Sequence, residues 1–469
     1  SGAATPLPPV PQPTLPPLAA DPGGATGKPR WTDGFGGTGL DAPRGLAIDD
    51  RGNVFVSGLF SGEASFGALG SRTSAGKTDA LVMRLEPAGA PAWAIRFGGP
   101  GEDVANAVAQ RGDRVLAVGN FFEKLSVQGP DNAPPLEGRG AGSDDLFAVL
   151  LDSAGSPQWV WTAGGRDSDG ANAVAATPDG GWVIGGSFSR HAQFGTTELD
   201  ARGRTDAVLV KLTSEGAVEW VKQFGGRYAD SIWRVAVDPA GNIIVQGLFA
   251  DLADWGGAPL KAGGGSDNDV VLAKYDRNGT HLWSKRFGSA FNEVAGGLAV
   301  DPAGFITMTG SFDQAIDFGQ GQVRVAGESD VFVARFTPTG EPVWSRTFGA
   351  EREDIGFGLA ADANGNVVVA GWFEHTVDFG GGAKASFGNR DVFVLKLDAA
   401  GRHVWSTSFG DRDHDQARAV ALDREGRPVI AGIFRFDLKV DPTKEAVHSV
   451  RPPAEKAPEP DLFVSALER

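Results

Sequence analysis

The chain has 469 residues, a net charge of −16 and no cysteine, which excludes disulfides, thiolate chemistry and cysteine-bound zinc. No Lys/Arg run overrides the acidic balance, so nucleic acid and anionic membrane surfaces are poor partners. Gly 68 and Phe 29 beside Met 2 suit many short strands and tight turns better than helical bundles.

Residues 1 to 30 carry nine Pro and no aromatic residue, so they cannot build a core. They read as an extended, polyproline-like tether that holds the rest of the chain away from a surface. The sequence opens at Ser1 without a signal-peptide pattern, which fits either a cytosolic chain or a trimmed, exported form. No stretch reaches the ~20 apolar residues of a membrane helix.

From Trp31 one pattern recurs seven times. A strand containing Trp31, Trp93, Trp159, Trp220, Trp283, Trp344 or Trp405 runs into Phe-Gly or its equivalent, with spacings of 62, 66, 61, 63, 61 and 61. An acidic residue comes after it: Asp41, Asp103, Asp169, Asp230, Glu293, Asp354 or Asp415. Next come a short apolar strand, a Gly-containing turn and a second strand ending Gly-x-Phe, as in GNVFVSGLF at 52 to 60. After a Gly-rich loop a third strand opens on Asp79, Asp145, Asp206, Asp269, Asp330, Asp391 or Asp461. Four short strands per unit, with no helical periodicity, predict an all-β, seven-bladed β-propeller of four-stranded blades over residues 31 to 467. The surplus over usual blade lengths falls in the loop after Gly-x-Phe. The chain begins on a lone Trp strand and ends on a third strand, so the N-terminal strand is expected to complete the last blade and close the ring.

The GN-x-(V/I)-x-V-x-G-x-F, Asp-x-Phe-Val-x-Lys-Leu and Trp-x-x-x-Phe-Gly-Gly strands resemble the SBBP-type bacterial β-propeller repeat family. That resemblance implies an exported or cell-surface setting and no single activity, so function must be argued from a site.

Seven copies in one chain act as an internal control. Residues common to every copy are expected to build blades: the third-strand Asp as a turn cap, the Trp as a cover over the seam between blades, and Ala47, Ala109, Ala175, Ala236, Ala299, Ala360 and Ala421 where blades converge. The acidic residues before the first strands read as turn caps or, as a ring, as a lure for cations or a basic partner. Divergent positions are the better pointer to function. Arg44, Asn106, Asn172, Trp233, Arg234, Phe357 and Arg418 begin the first strands and are expected to ring one mouth of the central channel, a mixed aromatic and hydrogen-bonding set suited to a protein or glycan ligand.

In the DRDHD segment, Asp411, Asp413 and Asp415 alternate as in the first half of a calcium loop, though Gln416 and Leu422 depart from the EF-hand pattern. A lone Ca²⁺ there is the metal reading; no other cofactor is expected. The six His lack metal-ligand spacing, and His414 beside Asp413 is the one imidazole placed near the proposed rim. Residues 130 to 145 and 441 to 460 are Pro-containing insertions expected to protrude from the same rim. The leading expectation is a non-catalytic, exported binding propeller. The alternatives are a carbohydrate-active enzyme, glycosidase or lyase, using channel-mouth carboxylates, and a structural subunit of a surface assembly.

Overall fold

Short apolar runs punctuated by Asp- and Gly-bearing turns decide the local structure. In the turn from 49 to 53, Asp49 Oδ1 accepts from the amides of Arg51 at 2.9 Å and Asn53 at 2.8 Å, while Gly52 takes φ +85°. Such a carboxylate holds the backbone in a tight reversal and Gly supplies the left-handed residue, so adjacent strands pair antiparallel. The computed structural model describes residues 27 to 130, 133 to 440, 446 to 449 and 459 to 469.

The molecule is all-β, built of antiparallel sheets. The first repeat is Asp41–Ile48, Val54–Phe60, Asp79–Leu85 and Pro91–Gly98, paired in that order. The next five repeats keep the same order, and the last is Gln416–Leu422, Pro428–Phe434 and Asp461–Leu467. Its fourth strand is Pro29–Gly37, which pairs antiparallel with Asp461–Leu467 from Trp31 opposite Ala466 to Phe35 opposite Leu462. The strand therefore starts inside the segment expected to be a tether. Residues 1 to 26 of that segment, and most of the 441 to 460 insertion, lie outside the described residues.

Second and third strands such as Val54–Phe60 and Asp391–Leu397 are buried along their whole length. A strand buried on both faces needs apolar cover from both sides, and here neighbouring repeats supply it. The first strands pack side by side, with Asp41–Ile48 touching both Val104–Arg111 and Gln416–Leu422. Trp indoles tie repeats together: Trp93 Nε1 donates to Ser153 O at 3.1 Å and Trp344 Nε1 to Ala399 O at 2.9 Å, each in the next repeat along the chain. Opposite the Trp93 ring lies Gly155 at φ +86°, where a Cβ would come within 2.9 Å of the indole.

The loop after Gly-x-Phe is more ordered than its Gly content suggests. In the first repeat it forms a hairpin, Glu63–Ser65 with Ser71–Thr73, whose Ala64 pairs with Gly37 of the strand from the neighbouring repeat. Gly165 with Ala192 and Gly226 with Ala253 repeat the arrangement. The 130 to 145 insertion likewise differs from expectation. Leu136 to Arg139 extends the third strand and pairs with Lys124 to Val127, so much of it lies along the sheet instead of protruding.

Candidate functional site

Every first strand carries one irregularity, always at the same place. The register slips between Pro43 and Gly45, Ala105 and Ala107, Ala171 and Ala173, Ile232 and Arg234, Ala295 and Leu298, Gly356 and Gly358, and Ala417 and Ala419. A bulge leaves its extra residue out of the ladder and re-aims the side chain. The residues set out of register are Arg44, Asn106, Asn172, Trp233, Phe357 and Arg418, with Gly296 and Gly297 in the fifth repeat. These are the positions where the copies disagree.

Arg44, Asn106, Asn172, Trp233, Arg234, Phe357 and Arg418 line one cavity of about 200 Å³ with Leu248, Val294 and Ala295. An adjoining space of about 150 Å³ shares six of the seven and adds Gly45, Ala107, Ala173, Gly297, Gly358 and Ala419. Arg234 stands in that inner row where every other repeat has Gly or Ala. Asn106 Nδ2 donates to Asn120 Oδ1 at 2.9 Å and to Ala171 O at 3.0 Å; Asn172 Nδ2 donates to Ser231 Oγ at 3.1 Å and Ile232 O at 3.0 Å. Each amide thereby stitches its repeat to the next. Arg234 Nη1 donates to Trp233 O at 2.8 Å, and Arg418 Nη2 to Gln416 Oε1 at 3.3 Å. Trp233 keeps 40% of its surface exposed.

Neither cavity is lined by an Asp or Glu. Burial lowers the Arg44 pKa, and takes Arg234 and Arg418 down to about 10, with the Arg44 charge contributing at Arg418. All three remain cationic at neutral pH.

The acidic residues before the first strands are buried, Asp103 and Asp415 fully, so they form no surface ring for cations or a basic partner. They act as caps. Asp103 Oδ2 accepts from Gly99 N at 2.8 Å and its Oδ1 from Phe122 N at 3.1 Å; Asp169 does the same with Gly165 N at 2.7 Å and Ser189 N at 2.8 Å. One carboxylate so joins the end of one repeat to the second strand of the next. The third-strand Asp of the preceding repeat lies beside it, as Asp461 does beside Asp41 and Asp391 beside Asp415. Burial pushes Asp103 up to about 6, Asp169, Asp230 and Asp354 to about 7, Asp41 and Asp415 to about 8, and Glu293 to about 9, with the neighbouring carboxylate adding to each. Sequence reasoning missed this pairing across the seams. Its trace was the constant four-residue step from the end of the Trp strand to the acid, Gly37 to Asp41 and Gly226 to Asp230.

In the DRDHD segment, Asp415 Oδ2 accepts from Asp411 N at 2.7 Å and Asp411 Oδ1 from Asp413 N at 3.3 Å. Among the described residues no three carboxylate or imidazole groups are arranged to hold a metal ion. The three Asp are organised as a turn and do not converge. His414 Nε2 stands 3.8 Å from Asp413 Oδ1, beyond a hydrogen bond, and neither residue lines the cavity.

No family model matches the chain. Among curated proteins, it is similar to the regulatory protein FlaEY of Caulobacter vibrioides, 26% identical over 328 residues, which is 68% of this chain and 32% of that protein. It is also similar to an uncharacterized WD repeat-containing protein, L264, of Acanthamoeba polyphaga mimivirus, 23% identical over 199 residues, 35% of this chain and 14% of that one. The chain thus spans a third or less of the length of these relatives. Similar solved structures include the Pan2 WD40 domain of Neurospora crassa, with a TM-score of 0.43 and 9% identity over 91% of this chain and 89% of that one. The WD40 β-propeller domain of Doa1 gives 0.41 and 10% over 93% and 97%. None of these supports the SBBP type in particular, which stays a resemblance carried by the repeat residues alone.

Proposed function

We propose that the chain is a seven-bladed propeller, closed by the Trp31 strand, and a non-catalytic binding module whose ligand seat is the axial mouth. One observation carries this reading: seven copies of a strand bulge at one aligned position, and the side chains that differ there meet around a single cavity. Packing favours the same residue in every copy, as it does for the seam carboxylates, so divergence at these aligned mouth positions supports a ligand. Glycoside cleavage by a mouth carboxylate pair loses its support, since two carboxyl groups must flank the bond and the cavity has none.

The Pro-rich segment of 1 to 30 supports an exported, tethered setting, which protease treatment of intact cells expressing the full-length protein tests. On the same rim Phe291 and Phe387 are exposed, 42% and 75%, a fitting border for a protein or glycan partner. The central test is a glycan and peptide array probed with the native chain and with Trp233→Ala/Arg234→Ala. Signal should fall at least about tenfold in the variant. Undiminished signal would sink the axial seat and favour contacts through the outer flanks, as in a structural subunit.

A further inference from the structure

We propose that the ligand of the axial mouth is a carboxylated saccharide, its acid group held by Arg44, Arg234 and Arg418. This rests on the axial-mouth reading and adds the chemistry of what sits there.

Elsewhere in the molecule several partly buried arginines have carboxylate partners. Arg96 meets Asp79 at 2.6 Å, Arg335 meets Asp301, and Arg390 lies 2.9 Å from both Glu353 and Glu374. The mouth lining offers no such partner. Three guanidiniums enter one narrow space with no Asp or Glu in its lining, in a chain whose net charge is −16. Arg44 and Arg418 come from ring-adjacent repeats, close enough for like-charge repulsion to be felt. The Arg44 side chain makes no hydrogen bond or ion pair among the described residues, and Arg418 Nε is buried with no acceptor. Unpaired, desolvated charge of one sign is costly unless a counter-charge arrives, and a planar guanidinium matches a carboxylate in fork geometry.

The rest of the lining says what carries that charge. Backbone carbonyls fix Nδ2 of Asn106 and Asn172, leaving each Oδ1 as an acceptor with no donor among the described residues. Acceptors beside cations suit a ligand that bears hydroxyl groups as well as negative charge. Trp233 and Phe357 add apolar ring faces, against which the C–H face of a sugar can lie. Inorganic sulfate or phosphate has no such face, and an acidic peptide supplies charge but few hydroxyls. A volume of about 200 Å³ accommodates one sugar unit, with the saccharide continuing across the rim.

The test is calorimetric titration of the full chain at low salt with oligogalacturonate and with its methyl ester, which keeps the rings and removes the charge. Sodium sulfate and poly-glutamate form two further arms. The acid form should bind at least about tenfold more tightly than the ester, and Arg44→Gln/Arg418→Gln should abolish that preference while Arg44→Lys/Arg418→Lys keeps part of it. An unchanged melting temperature in the Gln variant secures its fold. Equal binding of acid and ester, with Trp233→Ala still harmful, overturns the anionic ligand and leaves the mouth reading standing. Binding indifferent to every mouth substitution overturns the mouth itself. Absence of oligogalacturonate binding at millimolar concentration, or Arg-dependent binding of sulfate or poly-glutamate alone, overturns the saccharide.

Discussion

Arg44 lies three positions after Asp41, and Arg418 three after Asp415, yet these carboxylates and guanidiniums live in opposite surroundings. The acids sit in the seams, buried, and accept hydrogen bonds from backbone amides of the neighbouring repeat. The arginines stand on bulges, facing a cavity, with few or no partners of their own. The repeated carboxylates are held inside the molecule by backbone amides. The divergent arginines are left facing a cavity, while the divergent Asn106 and Asn172 are tied to the next repeat, and a single bulge in each first strand sets these side chains apart from the seam acids.

The largest expected effect concerns the seam that the chain's two ends share. Deleting residues 29 to 37 strips Asp461–Leu467 of a strand and exposes its edge, so the melting temperature monitored by circular dichroism should drop by about 10 °C or more. Deleting 1 to 26 should leave it nearly unchanged. If the first deletion is as mild as the second, the last repeat is not completed by Pro29–Gly37.

A smaller effect tests the seam carboxylates. Their folded-state pKa values lie above that of a free carboxyl, so folding takes up protons; the stabilisation is complete below about pH 4 and is lost as the pH rises through the 6 to 9 range. The melting temperature at pH 9 should lie at least about 5 °C below that at pH 5. General repulsion in an acidic chain works in the same direction, and Asp415→Asn separates the two causes. It removes one seam group whose pKa is pushed up to about 8, so the pH slope should shrink. An unchanged slope would assign the trend to net charge.

The smallest stability effect belongs to the mouth. Arg418→Gln removes a half-buried cation that repels Arg44, so stability without ligand should stay level or rise by up to about 1 kcal/mol in urea denaturation. A loss of about 2 kcal/mol or more would mark Arg418 as a framework residue and erase the contrast between mouth and seam.

Much of this was legible from the chain. The Trp and Asp periods located the strands of every repeat, because strand length and turn chemistry are local properties. The seven divergent positions were legible for a different reason: with seven internal copies, a residue that packing does not demand stands out by disagreement. For the expected calcium loop at Asp411, Asp413 and Asp415, spacing in sequence says nothing about where the oxygens point, and here backbone amides bond Asp411 Oδ1 and Asp415 Oδ2. The acids before the first strands read as turn caps or as a ring for cations, and burial, which depends on the neighbouring repeat, decides for the caps.

The sequence by itself determined the strands, their order in each repeat, and which side chains break the pattern, because all of these arise from local periodicity and turn residues. Only the tertiary structure decided that Arg44, Arg234 and Arg418 share one cavity without a carboxylate, and that Asp41 meets Asp461 across the join of the two chain ends. Those facts depend on how repeats hundreds of residues apart face one another, and a charge acquires its meaning from what lies beside it in space.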